Sequence, residues 1–143
     1  MWRAAATLLV AALIYEAIAR SGYFPRVLVP TLPAIAQTFF TLLIDGTLVR
    51  HALATVYRVM FGLGLAIAVA IPLGILMARF RPVENFFLPL ASALMPIPSL
   101  AWVPVFILWF GLGNSVAIMI VFYAATFPLL LNTWSGVRAV NPL

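Results

Sequence analysis

From Asn85 to Val137 the chain carries no charged residue, an unbroken stretch of 53 positions. A transmembrane helix uses about 20 residues, so the run is too long for one crossing and holds two crossings with a turn. Gly111-Leu112-Gly113-Asn114-Ser115 supplies the turn, with Gly111, Gly113 and Asn114 as its outer-side residues. The first limb, 86–110, is punctuated by Pro89, Pro96, Pro98 and Pro104; the second, 115–135, carries Pro128. Proline has no N–H to donate, so Pro128 frees the carbonyl of Ala124. At membrane depth such breaks persist where neighbouring protein re-satisfies the freed groups or where they line a cavity. Met95–Gly113, with three prolines, two tryptophans and two glycines, is the segment around which the rest is organised.

The remaining sequence fits an all-α, polytopic helical membrane protein of about four spans. Hydrophobic residues make up 66% of the 143 positions and charged ones 8%, whereas a soluble domain carries roughly 25% charged residues. Residues 4–20 form an apolar run that reads either as a first span or as a secretory signal, since Ala17-Ile18-Ala19 resembles a cleavage site. Residues 21–54 are an outer-side segment. Pro25, Pro30 and Pro33 make its start irregular, and Ala34–Ile44 is a short helix at the outer membrane surface, stopped by Asp45-Gly46. Residues 55–79 are the second span. Within it Gly62, Ala66, Ala70, Gly74 and Ala78 recur every four positions, a small-residue face on which another helix can pack closely. Pro72 predicts a kink there.

The charges exclude several functions. All eight basic residues are arginines that flank apolar runs rather than forming a stripe, which argues for membrane-end anchors and against nucleic acid. The polar turn Arg79–Asn85 is placed in the cytoplasm, although the arginines divide evenly between the two sides. With no cysteine, one histidine (His51) and three acids (Glu16, Asp45, Glu84) in separate segments, no metal site, paired-carboxylate site or nucleophilic triad can be assembled. There is no phosphate-binding G-x-x-x-x-G-K-[ST] loop, and no ionisable residue near the centre of a span to relay protons. The chain is expected to be no enzyme and to need no cofactor.

Several stretches resemble the permeases of binding-protein-dependent ABC importers. Asp45-Gly46-Thr47-Leu48 with His51, then Tyr57-Arg58-Val59 and Gly62, resemble the entry to their core. Ile97-Pro98-Ser99-Leu100-Ala101-Trp102-Val103-Pro104 and Ile107-Leu108-Trp109-Phe110-Gly111-Leu112-Gly113 resemble the nitrate, sulfonate and taurine branch. Phe127-Pro128, Asn132-Thr133, Gly136-Val137-Arg138 and Asn141-Pro142 continue the match in order. Met95-Pro96 and Ala54-Thr55 depart from the family's usual pairs. The resemblance implies a multi-pass subunit of the bacterial inner membrane that works with a second permease copy as a homodimer. It also implies two cytoplasmic ATP-binding subunits and a periplasmic solute-binding protein. The solute would be small and anionic, and Arg58 could attract it from outside.

On that resemblance, Pro96, Pro98, Ser99, Trp102, Pro104, Phe127, Pro128 and Asn132 are candidates for the wall of the substrate pathway. The alternative is that the prolines only shape helix packing and that Trp102 and Trp109 face lipid. Val137, Arg138, Asn141 and Pro142 would lead into the helix that couples to the ATPase, with Arg138 either contacting that partner or anchoring the span. The chain stops where the family's E-A-A…G coupling motif should begin, as expected of an N-terminal fragment of a permease or of a truncated gene product. Two other classes stay open: a small membrane protein with a structural or assembly role, and a secondary carrier or channel.

Overall fold

The computed structural model describes residues 2–25 and 27–140. Among these the regular elements are all helical: α1 (Trp2–Arg20), α2 (Leu32–Ile44), α3 (Thr47–Arg79), α4 (Arg81–Leu94), a 3₁₀ turn (Ser99–Trp102), α5 (Val103–Phe110) and α6 (Asn114–Val140). Helices α1, α3 and α6 are each long and apolar enough to cross a membrane. Helix α4 and the segment Ser99–Phe110 meet at 91° and make a fourth candidate span, broken in the middle. The backbone forms two compact units, residues 1–52 and 53–143.

In the first unit, the chain between α1 and α2 is held by side chains near the end of α1. The Tyr15 hydroxyl donates to the carbonyl of Pro30 at 2.8 Å. Glu16 accepts from Arg20 Nε at 2.6 Å through one oxygen and from the Leu32 N–H at 2.8 Å through the other. The Thr31 side chain leaves the start of α2 uncapped, and the Glu16 carboxylate satisfies that end instead. Pro33 occupies the first turn, where its missing N–H costs nothing. Asp45 then ends α2, and its carboxylate accepts from the Thr47 N–H as α3 begins.

In the second unit, α3 and α6 run parallel in one register. Arg58 Nε donates to Asn114 Oδ1 at 2.8 Å. Further along, a Cβ on Gly62 would lie 2.7 Å from the Ile118 carbonyl, and one on Gly74 would lie 3.0 Å from that of Leu130. All three pairs share the same sequence offset of 56. The two glycines are a dozen residues apart, so close approach of the backbones is kept over about 18 Å. Here glycine is required by space: neither site can admit a side chain without moving the facing helix. In lipid such contact contributes through dispersion rather than through the release of water.

The predicted small-residue face changes at its fifth member. Gly62, Ala66, Ala70 and Gly74 are buried, but the next buried residue is Met77, and Ala78 is half-buried. Four-residue steps overshoot the helical repeat by about 40° each, and a three-residue step restores the facing side. Met77 packs in the core with Ala70, Ala91 and Leu130, surrounded by Leu73, Phe87, Phe127 and Trp134.

Helix α4 runs antiparallel to α6. Glu84 in its first turn pairs with Arg138 near the end of α6, while its last carbonyl, that of Leu94, accepts from the Tyr123 hydroxyl at 2.8 Å. Pro72, Pro89 and Pro128 lie within continuous helices. The break falls instead at 95–98, where Pro96 and Pro98 withhold donors from the carbonyls of Ser92 and Leu94. Pro98 also biases Ile97 away from helical backbone.

Candidate functional site

A cavity of about 220 Å³ opens beside the break. Its walls are Met95, Ile97, Pro98 and Ser99 from the broken segment and Tyr123, Ala124, Phe127 and Pro128 from α6. The broken segment therefore meets the proline-bearing stretch of the continuous helix α6 at one place. Pro98 and Pro128 bring with them the two backbone carbonyls that they leave without a helical donor, those of Leu94 and Ala124. The Leu94 carbonyl is answered twice, by the Ile97 N–H at 3.1 Å and by the Tyr123 hydroxyl. Ala124 is exposed and lines the cavity, as does the half-buried Ser99. The site thus offers the hydroxyls of Ser99 and Tyr123 on an otherwise apolar and aromatic wall, with no formal charge among its lining residues.

Aromatic rings support this wall. Tyr123 meets Phe127 edge-on at 5.1 Å between centroids and Trp102 at 5.3 Å. Trp102 stacks on Phe106, which is buried, at 6.2 Å. Its indole Nε1 is buried without a hydrogen-bond partner among the described residues. Trp102 therefore braces the cavity through Tyr123 rather than lining it, and Trp109 is 68% exposed on the outside of α5.

Of the predicted pathway residues, Pro98, Ser99, Phe127 and Pro128 are brought together at the cavity. Pro96, Pro104 and Asn132 are exposed and do not line it. Tyr123 and Ala124 join the site without having been singled out for the pathway. The signal for Tyr123 was its phenol inside a charge-free span, where a buried hydroxyl needs a partner. Ala124 was marked in the sequence by Pro128, four residues later, which frees its carbonyl.

At the far end of α5, Gly111 and Gly113 adopt φ of 70° and 148°, so the chain reverses on backbone that side-chain-bearing residues rarely adopt. Asn114, grouped with the turn in the sequence, is the first residue of α6, and its side chain holds Arg58. At the opposite end, Val137 and Arg138 lie in the last turns of α6; Asn141 and Pro142 fall outside the described residues. Arg138 pairs with Glu84 within the chain and lies 5.4 Å above the ring of Trp134.

The family described as binding-protein-dependent transport system inner membrane component matches residues 70–142. Over 80% of its length the chain is 44% identical to an ABC transporter permease protein of Methanocaldococcus jannaschii, covering 44% of that protein. Over 90% of its length it is 32% identical to the aliphatic sulfonates transport permease protein SsuC of Bacillus subtilis, covering 46% of it. Over 64% it is 36% identical to the glycine betaine/carnitine/choline transport system permease protein OpuCD of Bacillus subtilis, covering 38% of it. The chain spans less than half the length of these relatives. No solved structure matches it.

Proposed function

The chain belongs to the binding-protein-dependent inner membrane components, and we propose that it forms part of the solute path of an ATP-driven importer at the Ser99–Tyr123–Ala124 cavity. As a permease component it is not itself catalytic. Energy would come from cytoplasmic ATP-binding subunits, solute from a periplasmic binding protein, and the other half of the path from a second permease copy. Alternating access would be produced when the ATPases close and rock the two halves. The proposed location is a bacterial-type inner membrane.

The observation that carries this reading is the cavity at the break. A helix bent by 91° exposes backbone groups that an unbroken span would hide, and the break leaves fewer helical hydrogen bonds to resist movement. Tyr123 makes the bend reversible, because its hydroxyl can exchange the Leu94 carbonyl for a solute oxygen without leaving either group unpaired. The solute we assign is small and bears an anionic group, of the sulfonate or taurine kind, as the relative named for aliphatic sulfonates suggests. It would meet Arg58 before reaching the neutral cavity.

The test is reconstitution of the complete permease bearing these residues with its ATPase and binding protein, followed by uptake of radiolabelled taurine. Uptake that needs ATP and falls on Ser99→Val or Tyr123→Phe supports the reading. Uptake that persists without the ATPase but collapses with the ion gradient would assign the chain to the secondary carriers instead.

A further inference from the structure

The charge-free run is bounded by Glu84 on one side and Arg138 on the other, and the fold brings these two residues together. They are 54 residues apart in sequence, one in the first turn of α4 and one near the end of α6. The Arg138 Nη1 donates to Glu84 Oε1, and the guanidinium lies over the ring of Trp134, one turn back on α6. The Glu84 side chain is only 12% exposed and that of Arg138 50%. Arg138 thus has an acid and an aromatic face within its own chain, and its geometry is already committed.

We infer that Glu84 and Arg138 form a latch that fixes the last turns of α6 against the start of α4. They act as positioning residues for whatever follows Val140. An exposed ion pair contributes little on its own, because water competes for both partners. This pair differs in that the Glu84 side chain is mostly buried, so removing Arg138 leaves a carboxylate with little water and without its paired cation. The ring of Trp134 adds a second attraction and restricts where the guanidinium can sit. Arg79 and Arg81, at the neighbouring turn from α3 to α4, have exposed side chains and supply positive charge at the same end without entering the pair. The importance of the latch for coupling rests on the permease reading: a motion delivered by the ATPase would reach α4, and through it the bend, by way of this contact.

The chain has no cysteine, so two introduced thiols can be labelled cleanly. Nitroxides at Asn85→Cys and Ala139→Cys, both exposed, report the separation of the two helix ends in vesicles of phosphatidylethanolamine and phosphatidylglycerol. The latch predicts one narrow distance peak, its loss in Glu84→Arg and in Arg138→Glu, and its return in the double swap. Helical content by circular dichroism accompanies each variant. A peak unchanged in the single variants overturns the latch. So does a loss of order or helix that the swap fails to relieve. The distances do not depend on transport: a latch that holds while the complete permease bearing these residues shows no ATP-dependent uptake removes the proposed solute path and leaves this inference.

Discussion

Helices α3 and α6 and the broken segment α4–α5 carry the same helix-breaking residue and respond to it in opposite ways. Pro72 and Pro128 each sit alone inside a long helix, each withholds one hydrogen bond, and both helices continue. Pro96 and Pro98 sit two residues apart, withhold donors from carbonyls of the same turn, and the chain bends by 91°. One lost bond is compensated by the packing of a continuous helix. Two in the same turn interrupt the ladder, and the freed Leu94 carbonyl is then answered by the Ile97 N–H and, from another helix, by Tyr123. The parallel pair α3 and α6 is thus the fixed part of the second unit, and the bent segment is the part with room to move.

The sharpest way to break this contrast is to disturb the fixed pair. Gly74→Val places side-chain atoms where a Cβ alone would be 2.8 Å from Thr133 Cβ. Overpacking of this kind costs about 1–3 kcal/mol and should lower the resistance to unfolding in mixed micelles by that amount. Gly64→Ala is the matched control, since nothing lies within 4 Å of that position, and its stability should be unchanged or slightly raised. Equal losses in the two variants would mean that α3 and α6 do not pack as described.

On the mobile side, Tyr123→Phe removes the hydroxyl that holds the Leu94 carbonyl and keeps the ring packing with Trp102 and Phe127. The expected loss is about 1 kcal/mol, with a broadened distance between nitroxides on α4 and α5. An unbroadened distance would show that the bend is held by the prolines alone. The smallest effect is expected at Arg58→Ala. Its surface contact with Asn114 stabilises by less than about 1 kcal/mol, while taurine uptake by the reconstituted complex should lose part of its salt dependence.

The sequence indicated which limb breaks but not how far it bends. Pro89, Pro96, Pro98 and Pro104 marked the limb that breaks without saying which of them breaks it, and the glycines of 111–113 located the reversal, because both act through local backbone. The angle of 91° depends on which helix receives the freed carbonyl, and a phenol 29 residues downstream carries no local mark of that. The small-residue face was legible through Gly74 for the same local reason. It slipped at Ala78 because a spacing of four is not the helical repeat, and only the position of α6 decides that Met77 faces inward. The ion pair of Glu84 and Arg138 shows the same limit. Each residue was visible as the border of a charge-free run, and nothing in that run announced that its ends would meet.

The proposed solute path requires the cavity at the break to be open to water and solute while the outer face of α5 meets lipid. Single thiols can be placed at Ser99, at Ala124 and, for contrast, at Leu108, which is 83% exposed on α5. In membranes, Ser99→Cys and Ala124→Cys should react with a charged, membrane-impermeant methanethiosulfonate, Leu108→Cys should not, and added solute should slow the first two in the complete transporter. If the thiols at 99 and 124 prove as inert as the one at 108, the break is packing and no path runs along it.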